Sequence, residues 1–358
     1  MTHSNTNFKL PRNQNERPGR RRHAQGLLYG FIGLAIVGLF VLDLYSGTAS
    51  ISLKEVLLTL VGKGSGNALF ENILFQFRLP RALTALLAGA ALSLCGLQMQ
   101  TLFRNPLADP YILGISSGSG LGVGVFLMGL SAWGLHSLPS WLTGATTILP
   151  AWAGAFLFTA LILWASSRLK DNLSLLIFGV MLGSVGSAVI SLLQYVSQAE
   201  ALKNYVLWSM GSFSGTDLSQ VGILAGLTLV GIVLSFSNTK NLNVLHLGEQ
   251  YAISLGLSPK KMRRRILLAV AILAGSTTAF CGPIGFVGIA VPHIARILFR
   301  DADHRRLLPA TLLTGCCVML LADCIAQLPG SSGIIPINTV CALLGIPVIL
   351  MIILKQPE

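Results

Sequence analysis

Apolar residues run along this chain in long blocks separated by short polar stretches. Segments 27–42, 82–103 and 173–196 contain no Lys or Arg. A block of ~20 residues spans the ~30 Å hydrocarbon slab of a bilayer as a helix. The blocks show no period-two alternation, which a membrane barrel would require. Helices satisfy their own backbone hydrogen bonds in lipid, so the pattern predicts an all-α bundle. Ten spans are expected, at about 27–45, 80–103, 110–130, 146–166, 173–197, 219–237, 265–282, 284–299, 307–328 and 335–354. Pro283 and Gly285 interrupt one apolar run and divide the seventh span from the eighth. A short additional helix is expected over 202–210, between the fifth and sixth spans.

Composition agrees with this pattern. Hydrophobic residues make up 53% of the 358 residues and charged residues 11%, against about 25% charged in soluble domains. The charges also set an orientation. With the N-terminus inside, 20 of the 25 Lys and Arg fall on inside segments and five outside (Lys54, Lys63, Arg78, Arg81 and Lys203). The positive-inside rule therefore places both termini in the cytoplasm. The net charge of +12 follows from this topology and is not a nucleic-acid signal. Residues 1–26, with six basic side chains, read as a retained, disordered cytoplasmic tail. The apolar run after them is longer than a signal-peptide core, and further spans follow. Residues 27–355 form the membrane domain, with the longest inside loop at 238–264.

Leu87-Ala-Gly-Ala-Ala-Leu-Ser-Leu-Cys-Gly96 in the second span is similar to Leu273-Ala-Gly-Ser-Thr-Thr-Ala-Phe-Cys-Gly282 in the seventh. At the same offset Pro106 falls on Pro292. The two spans run in opposite directions, so the chain reads as two inverted repeats (spans 2–5 and 7–10), an arrangement that builds transport pathways. Asn105-Pro-Leu-Ala-Asp109-Pro110 opens the third span, with Asp109 as N-cap and Pro110 in the first turn. Gly114, Gly118 and Gly122 then give the small-xxx-small spacing of closely packed helices, and Ser116 and Ser117 form a candidate polar lining.

Arg78-Leu-Pro-Arg81 opens the second span on the outer side. A charge at mid-membrane costs ~3 kcal/mol, so both arginines are expected at the interface. There they would either anchor headgroups or offer a basic docking point to an acidic partner. In the inside loop, Leu247-Gly-Glu249-Gln-Tyr-Ala252-Ile-Ser-Leu255-Gly256 reads as a short helix ended by Gly256 and Pro259. It is either a contact for a cytoplasmic partner or a solvated loop. Asp43, His293, Arg296 and Asp323 are ionisable residues in or near the spans, with His293 read as structurally hydrogen-bonded. Asp301-Ala-Asp303-His304 reads as a solvated turn.

No H-E-x-x-H, Walker A or paired-Asp motif is present, so neither an enzyme nor a self-fuelled pump is indicated. The six cysteines lie within apolar blocks and read as packing residues, and no metal site is expected. An ion-coupled secondary transporter is the main alternative to a partner-driven one.

Three segments resemble the BtuC/FecCD-type ABC importer permeases. They are Arg78 to Gly118, Gly285-Phe-Val-Gly-Ile-Ala-Val-Pro-His293-Ile-Ala-Arg296, and Gly248-Glu249 with Leu255-Gly256. The resemblance covers about 53–355. It implies a homodimer of ten-helix subunits in a bacterial inner membrane, working with two cytoplasmic ATPase subunits and a periplasmic binding protein. It implies import of an iron–siderophore, haem or cobalamin, with ATP and Mg used by the partners and no cofactor on this chain. By the same resemblance, Arg78 and Arg81 dock the binding protein, and Gly248, Glu249, Ala252, Leu255 and Gly256 couple to the ATPase. Asn105, Pro106, Leu107, Pro292 and His293 lie near the gate. The fifth span lines the path at the dimer axis, where Gly179, Gly183 and Gly186 suit close dimer packing. One segment departs: the family's Glu-x-Pro-x-Gly before the tenth span is missing, and Gln327 stands about where an Arg is usual.

Overall fold

The structure, a computed structural model, describes residues 18–47, 52–60, 68–129, 147–169, 171–327 and 335–354. The basic stretch 1–17 and most of the Gly330 loop lie outside them. Fourteen α-helices follow in order: α1 Pro18–Tyr45, α2 Leu53–Leu60, α3 Ala68–Phe103, α4 Ile115–Gly129, α5 Ile148–Arg168, α6 Asn172–Val196, α7 Ala199–Ser209, α8 Leu218–Ser237, α9 Thr239–Leu247, α10 Glu249–Ser254, α11 Pro259–Cys281, α12 Val287–Phe299, α13 His304–Ala326 and α14 Ile337–Leu354. Seven are long and apolar enough to cross a membrane, and α4, α12 and α14 are shorter apolar helices. Together they stand at the positions of the ten expected spans, and no strand occurs among the described residues.

Three boundaries differ from the sequence reading. α1 begins at Pro18, not near residue 27, because its polar first turns also fold as helix. Proline suits the first helical position, and Gln25 Nε2 then bonds Phe299 O (3.2 Å) and Asp301 Oδ2 (3.3 Å). α3 begins twelve residues before Pro80, which the sequence reading took as a helix start. A proline inside a helix removes one hydrogen bond and clashes with the carbonyl four residues back. A π-turn over Leu74–Arg78 accommodates it, and the helix runs on. The sixth-to-seventh connection holds two helices, α9 and α10, where one was expected.

α3 is the centre of the bundle, with α11, α12, α13 and α8 packed around it. Glycines set how closely they approach. A Cβ on Gly96 would lie 1.7 Å from Gly288 O, and one on Gly89 2.3 Å from Gly315 O. The α4–α5 crossing is made the same way: a Cβ on Gly118 would meet Gly154 O at 2.6 Å. The packing reading of Gly114, Gly118 and Gly122 therefore stands. Between α11 and α12 the chain is unwound over Gly282–Phe286, with φ of 73° at Gly282 and 68° at Phe286. The two repeats are not equivalent at their prolines: Pro106 lies in the loop after α3, and Pro292 lies inside α12.

Candidate functional site

Two polar clusters sit at opposite ends of the bundle. One end carries the inter-helix loops rich in Lys and Arg, and we call it the basic face. The other carries Arg78, Arg81 and Asp323.

On the basic face, α10 is a short helix held between two glycines. Gly248 (φ 123°) precedes it and Gly256 (φ 72°) follows it, both in backbone that a side chain would strain. Gly256 N–H bonds Ile253 O (2.9 Å), and Leu257 N–H bonds Ala252 O (3.0 Å), a glycine-ended C-terminal turn. Ala252 is fully buried, whereas Tyr251, Ile253 and Leu255 are about half exposed, at 47%, 54% and 53%. The Glu249 side chain is about one-third exposed, with one carboxylate oxygen held by the chain. Its Oε1 accepts from Asn172 Nδ2 (2.8 Å), at the start of α6, and from Arg263 Nη2 (3.3 Å), in α11. Asn172 Nδ2 also donates to Leu102 O near the end of α3 (2.9 Å). Arg263 Nη1 donates to Leu169 O beyond α5 (3.4 Å). One carboxylate thus joins the segments that end or begin four spans.

Asp301, Asp303 and His304 do not form a solvated turn. His304 is 1% exposed, with Nδ1 2.8 Å from Asn243 Oδ1 and Nε2 2.9 Å from Thr101 Oγ1. Asp303 caps α13 through Arg305 N (2.9 Å) and accepts from Asn243 Nδ2 (2.6 Å). The Arg305 backbone N–H holds its carboxyl below the ordinary value. Nearby, burial lowers His246, and Arg296 and Arg104 lower it further. These contacts seat α9 on α3 and α13. They escaped the sequence reading because the partners lie about 60 and 200 residues apart.

The candidate gate residues meet where α12 passes the loop after α3. His293 Nε2 lies 2.9 Å from Pro106 O, as its structural reading expects. Asn105 Oδ1 accepts from Leu107 N (2.9 Å), and Leu107 is 37% exposed. Pro292 has no N–H, so the Gly288 carbonyl four residues back loses its partner. Gln100 Nε2 supplies one, at 3.3 Å from Gly288 O and 3.1 Å from Ile289 O. Gln100 Oε1 accepts from Arg296 Nη1 (2.6 Å). Gln100 is a site residue missed in the sequence. The signal was available: a polar side chain in an apolar helix, opposite a proline in another.

Ser116 and Ser117 are half-buried, and Ser117 faces Gly183 of α6. The glycines of α6 face inward, not toward a second copy. A Cβ on Gly179 would meet Leu113 Cα at 2.9 Å, on Gly183 Ser117 Oγ at 3.4 Å, and on Gly186 Phe158 Cζ at 3.1 Å. This corrects the dimer-packing reading of Gly179, Gly183 and Gly186, which admit neighbours of their own chain. The opposite face of α6 carries Ile177, Met181, Val185 and Leu192, which are 49–68% exposed.

At the opposite end, Arg78 and Arg81 are each only 7% exposed, so neither lies out at the interface among headgroups. Arg78 Nη1 donates to Leu44 O and Tyr45 O, both at 2.9 Å, where α1 ends. Arg81 grips Asp323 with Nε and Nη2 (2.7–3.1 Å) and reaches Ser214 Oγ with Nη1 (2.9 Å). Gln327 Nε2 joins Asp43 Oδ1 (2.7 Å) to Asp323 Oδ2 (3.0 Å). Desolvated ions need such partners. Gln327, at the departure from the family pattern, therefore has a role inside the chain. Among the described residues no group of three His, Cys, Asp or Glu is placed to hold a metal.

Comparison with known proteins gives a consistent answer. The model of the FecCD transport family matches residues 34–355. The chain is 36% identical to the hemin transport system permease HmuU of Yersinia pestis over 93% of this chain and 96% of that one. It is 39% identical to the vitamin B12 import system permease BtuC of Citrobacter koseri, over 80% and 84%. It also superposes on a solved inward-facing structure of a protein assigned to the metal-chelate type of ABC transporter. That match has a TM-score of 0.78 and 33% identity, and covers 92% of this chain and 100% of the other.

Proposed function

The chain belongs to the FecCD transport family, and we propose on that premise that it is the membrane-spanning subunit of a binding-protein-dependent ABC importer for a metal chelate. The cargo class is iron–siderophore, haem or cobalamin. Two copies assemble in a bacterial inner membrane with two ATPase subunits on the basic, cytoplasmic face and a periplasmic binding protein opposite. The ATPases bind ATP and Mg and perform the hydrolysis; this chain is not the enzyme. The observation that carries the reading is α10, a short helix with Tyr251 and Ile253 about half exposed, held between glycines in backbone a side chain would strain. It sits in the loop that matches the family's coupling segment.

In this reading Gly248, Glu249, Ala252, Leu255 and Gly256 form the seat for an ATPase. Asn105, Pro106, Leu107, Pro292 and His293 lie beside the inner gate, and the open face of α6 lines the path at the dimer axis, with Ser116 and Ser117 packed behind it. Transport proceeds by alternating access, with closure of the ATPases moving α10 and, through it, the gate. Arg78 and Arg81 shape the docking rim for the binding protein. Both guanidinium groups are engaged internally, so an acidic partner that binds Arg81 directly must displace Asp323.

The test is co-purification from native membranes with a tag on this chain, followed by uptake of haemin and cyanocobalamin into proteoliposomes. Recovery of an ATPase, together with uptake that requires ATP, supports the reading. Uptake by this chain alone, driven by an ion gradient, would instead establish a secondary transporter.

A further inference from the structure

We infer that Asn172, acting through Glu249, is the positioning residue that transmits movement of α10 to the path-facing helix α6. This rests on the coupling role proposed for α10. Four observations lead to it. Glu249 is held by this chain's own donors, so its carboxylate is an internal link; the exposed apolar residues Tyr251, Ile253 and Leu255 are the surface a partner would press on. Asn172 is the first residue of α6. Its one amide nitrogen bonds both α10, at Glu249, and the end of α3, at Leu102. Its Oδ1 is buried and accepts no hydrogen bond, so the side chain is oriented by its two donations alone.

The backbone on either side supports a lever. Gly248 and Gly256 bracket α10 in glycine-favouring conformations, which set it off from α9 and α11 as a separate short helix. With Leu102 leading directly into Arg104 and the Asn105–Leu107 gate loop, the same amide ties the gate to the coupling helix. A displacement of α10 thus reaches α6 and the gate loop through two hydrogen bonds sharing one nitrogen.

The test uses the full complex in proteoliposomes with Ser184→Cys, an exposed position on α6. The readout is its rate of modification by a membrane-impermeant maleimide with and without ATP. The same complex lacking Ser184→Cys corrects for Cys317, the one native cysteine that is not buried. Nucleotide is expected to change the rate in the otherwise native chain; Glu249→Gln, which keeps the acceptor oxygen but loses the charge facing Arg263, is measured alone as the reference for the double variant below. Asn172→Ala is expected to shrink that change about fivefold or more while the ATPase still co-purifies. Asn172→Asp, which sets carboxylate against carboxylate, is expected to do the same. Adding Glu249→Gln to Asn172→Asp restores the link between residues 172 and 249 in reversed sense, though not the donation to Leu102 O, and should recover part of the response. A full nucleotide response in Asn172→Ala, or no recovery in the double variant with the ATPase bound, would overturn the inference. Failure of the native chain to capture any ATPase would overturn the function proposed above, and this inference with it.

Discussion

The Leu79–Phe103 part of α3 and the helix α6 are each 25 residues long, yet they sit in opposite surroundings. The most apolar window of α3 has a mean hydropathy of 1.7 and is 83% buried; that of α6 has 2.2 and is 22% buried. The more hydrophobic helix is the more exposed one. In water this would be perverse, but lipid solvates leucine as well as protein does, so apolarity does not drive helices together in a membrane. What α3 offers is close approach through Gly89 and Gly96, and polar groups that need partners: Gln98 bonding Ser235 (2.9 Å) and Gln100 bonding the Gly288 and Ile289 carbonyls. The open face of α6 offers neither, which suits a surface for lipid, a second copy or cargo.

The contrast can be broken most forcefully at Gly96. Gly96→Leu drives a side chain into the Gly288 backbone, which cannot give way as a flexible side chain does. The loss should exceed the about 3 kcal/mol of ordinary overpacking and abolish a cooperative melt in detergent. Gly222→Leu on α8, with nothing within 4 Å, should leave the melt unchanged. Next in size, Arg81→Ala strands Asp323 as a buried unpaired charge and should cost about 3–5 kcal/mol. Asp323→Asn in the same chain should recover much of that. Arg81→Ala with an unaltered melt would mean the ion pair does not form.

Smaller effects sharpen the picture. Gln100→Ala frees the Gly288 and Ile289 carbonyls and deprives Arg296 of its acceptor, and should cost about 1–3 kcal/mol by thermal unfolding. Asp303→Ala removes the cap of α13, worth about 1 kcal/mol. The Asp303 carboxyl lies below its ordinary value, so the cap's contribution is complete above about pH 4 and is lost as pH falls further. A pH series on Asp303→Ala should lack that acid-side loss. At the small end, Val185→Leu on the open face of α6 should move the melt by no more than about 0.5 kcal/mol.

These contrasts also mark what was legible in the sequence. The seven long spans were, because hydrocarbon thickness fixes a length that composition reveals; α4, α12 and α14 showed only as apolar blocks. The glycines of α4 were legible as packing residues, since their spacing stacks them on one side. Those of α6 were assigned to the wrong neighbour, because spacing defines a face but not what covers it. Arg78 and Arg81 looked like exposed anchors because their partners, Leu44, Tyr45 and Asp323, lie 33 to 242 residues away. The continuation of α3 through Pro80 was hidden because a proline reads as a helix start, and only the preceding π-turn shows how it is tolerated inside one. The loop around Glu249 was visible as a short helix with a glycine end. That its carboxylate turns inward to Asn172 follows from tertiary placement.

In the function proposed above, the open face of α6 meets a second copy of this chain across a transport path. Val185→Cys, on that face, and Val233→Cys on α8, both 61% exposed, should be compared in native membranes with a thiol-specific bifunctional maleimide. A crosslinked dimer is expected from Val185→Cys and none from Val233→Cys. Equal crosslinking at both positions, or a dimer from Val233→Cys alone, would contradict it.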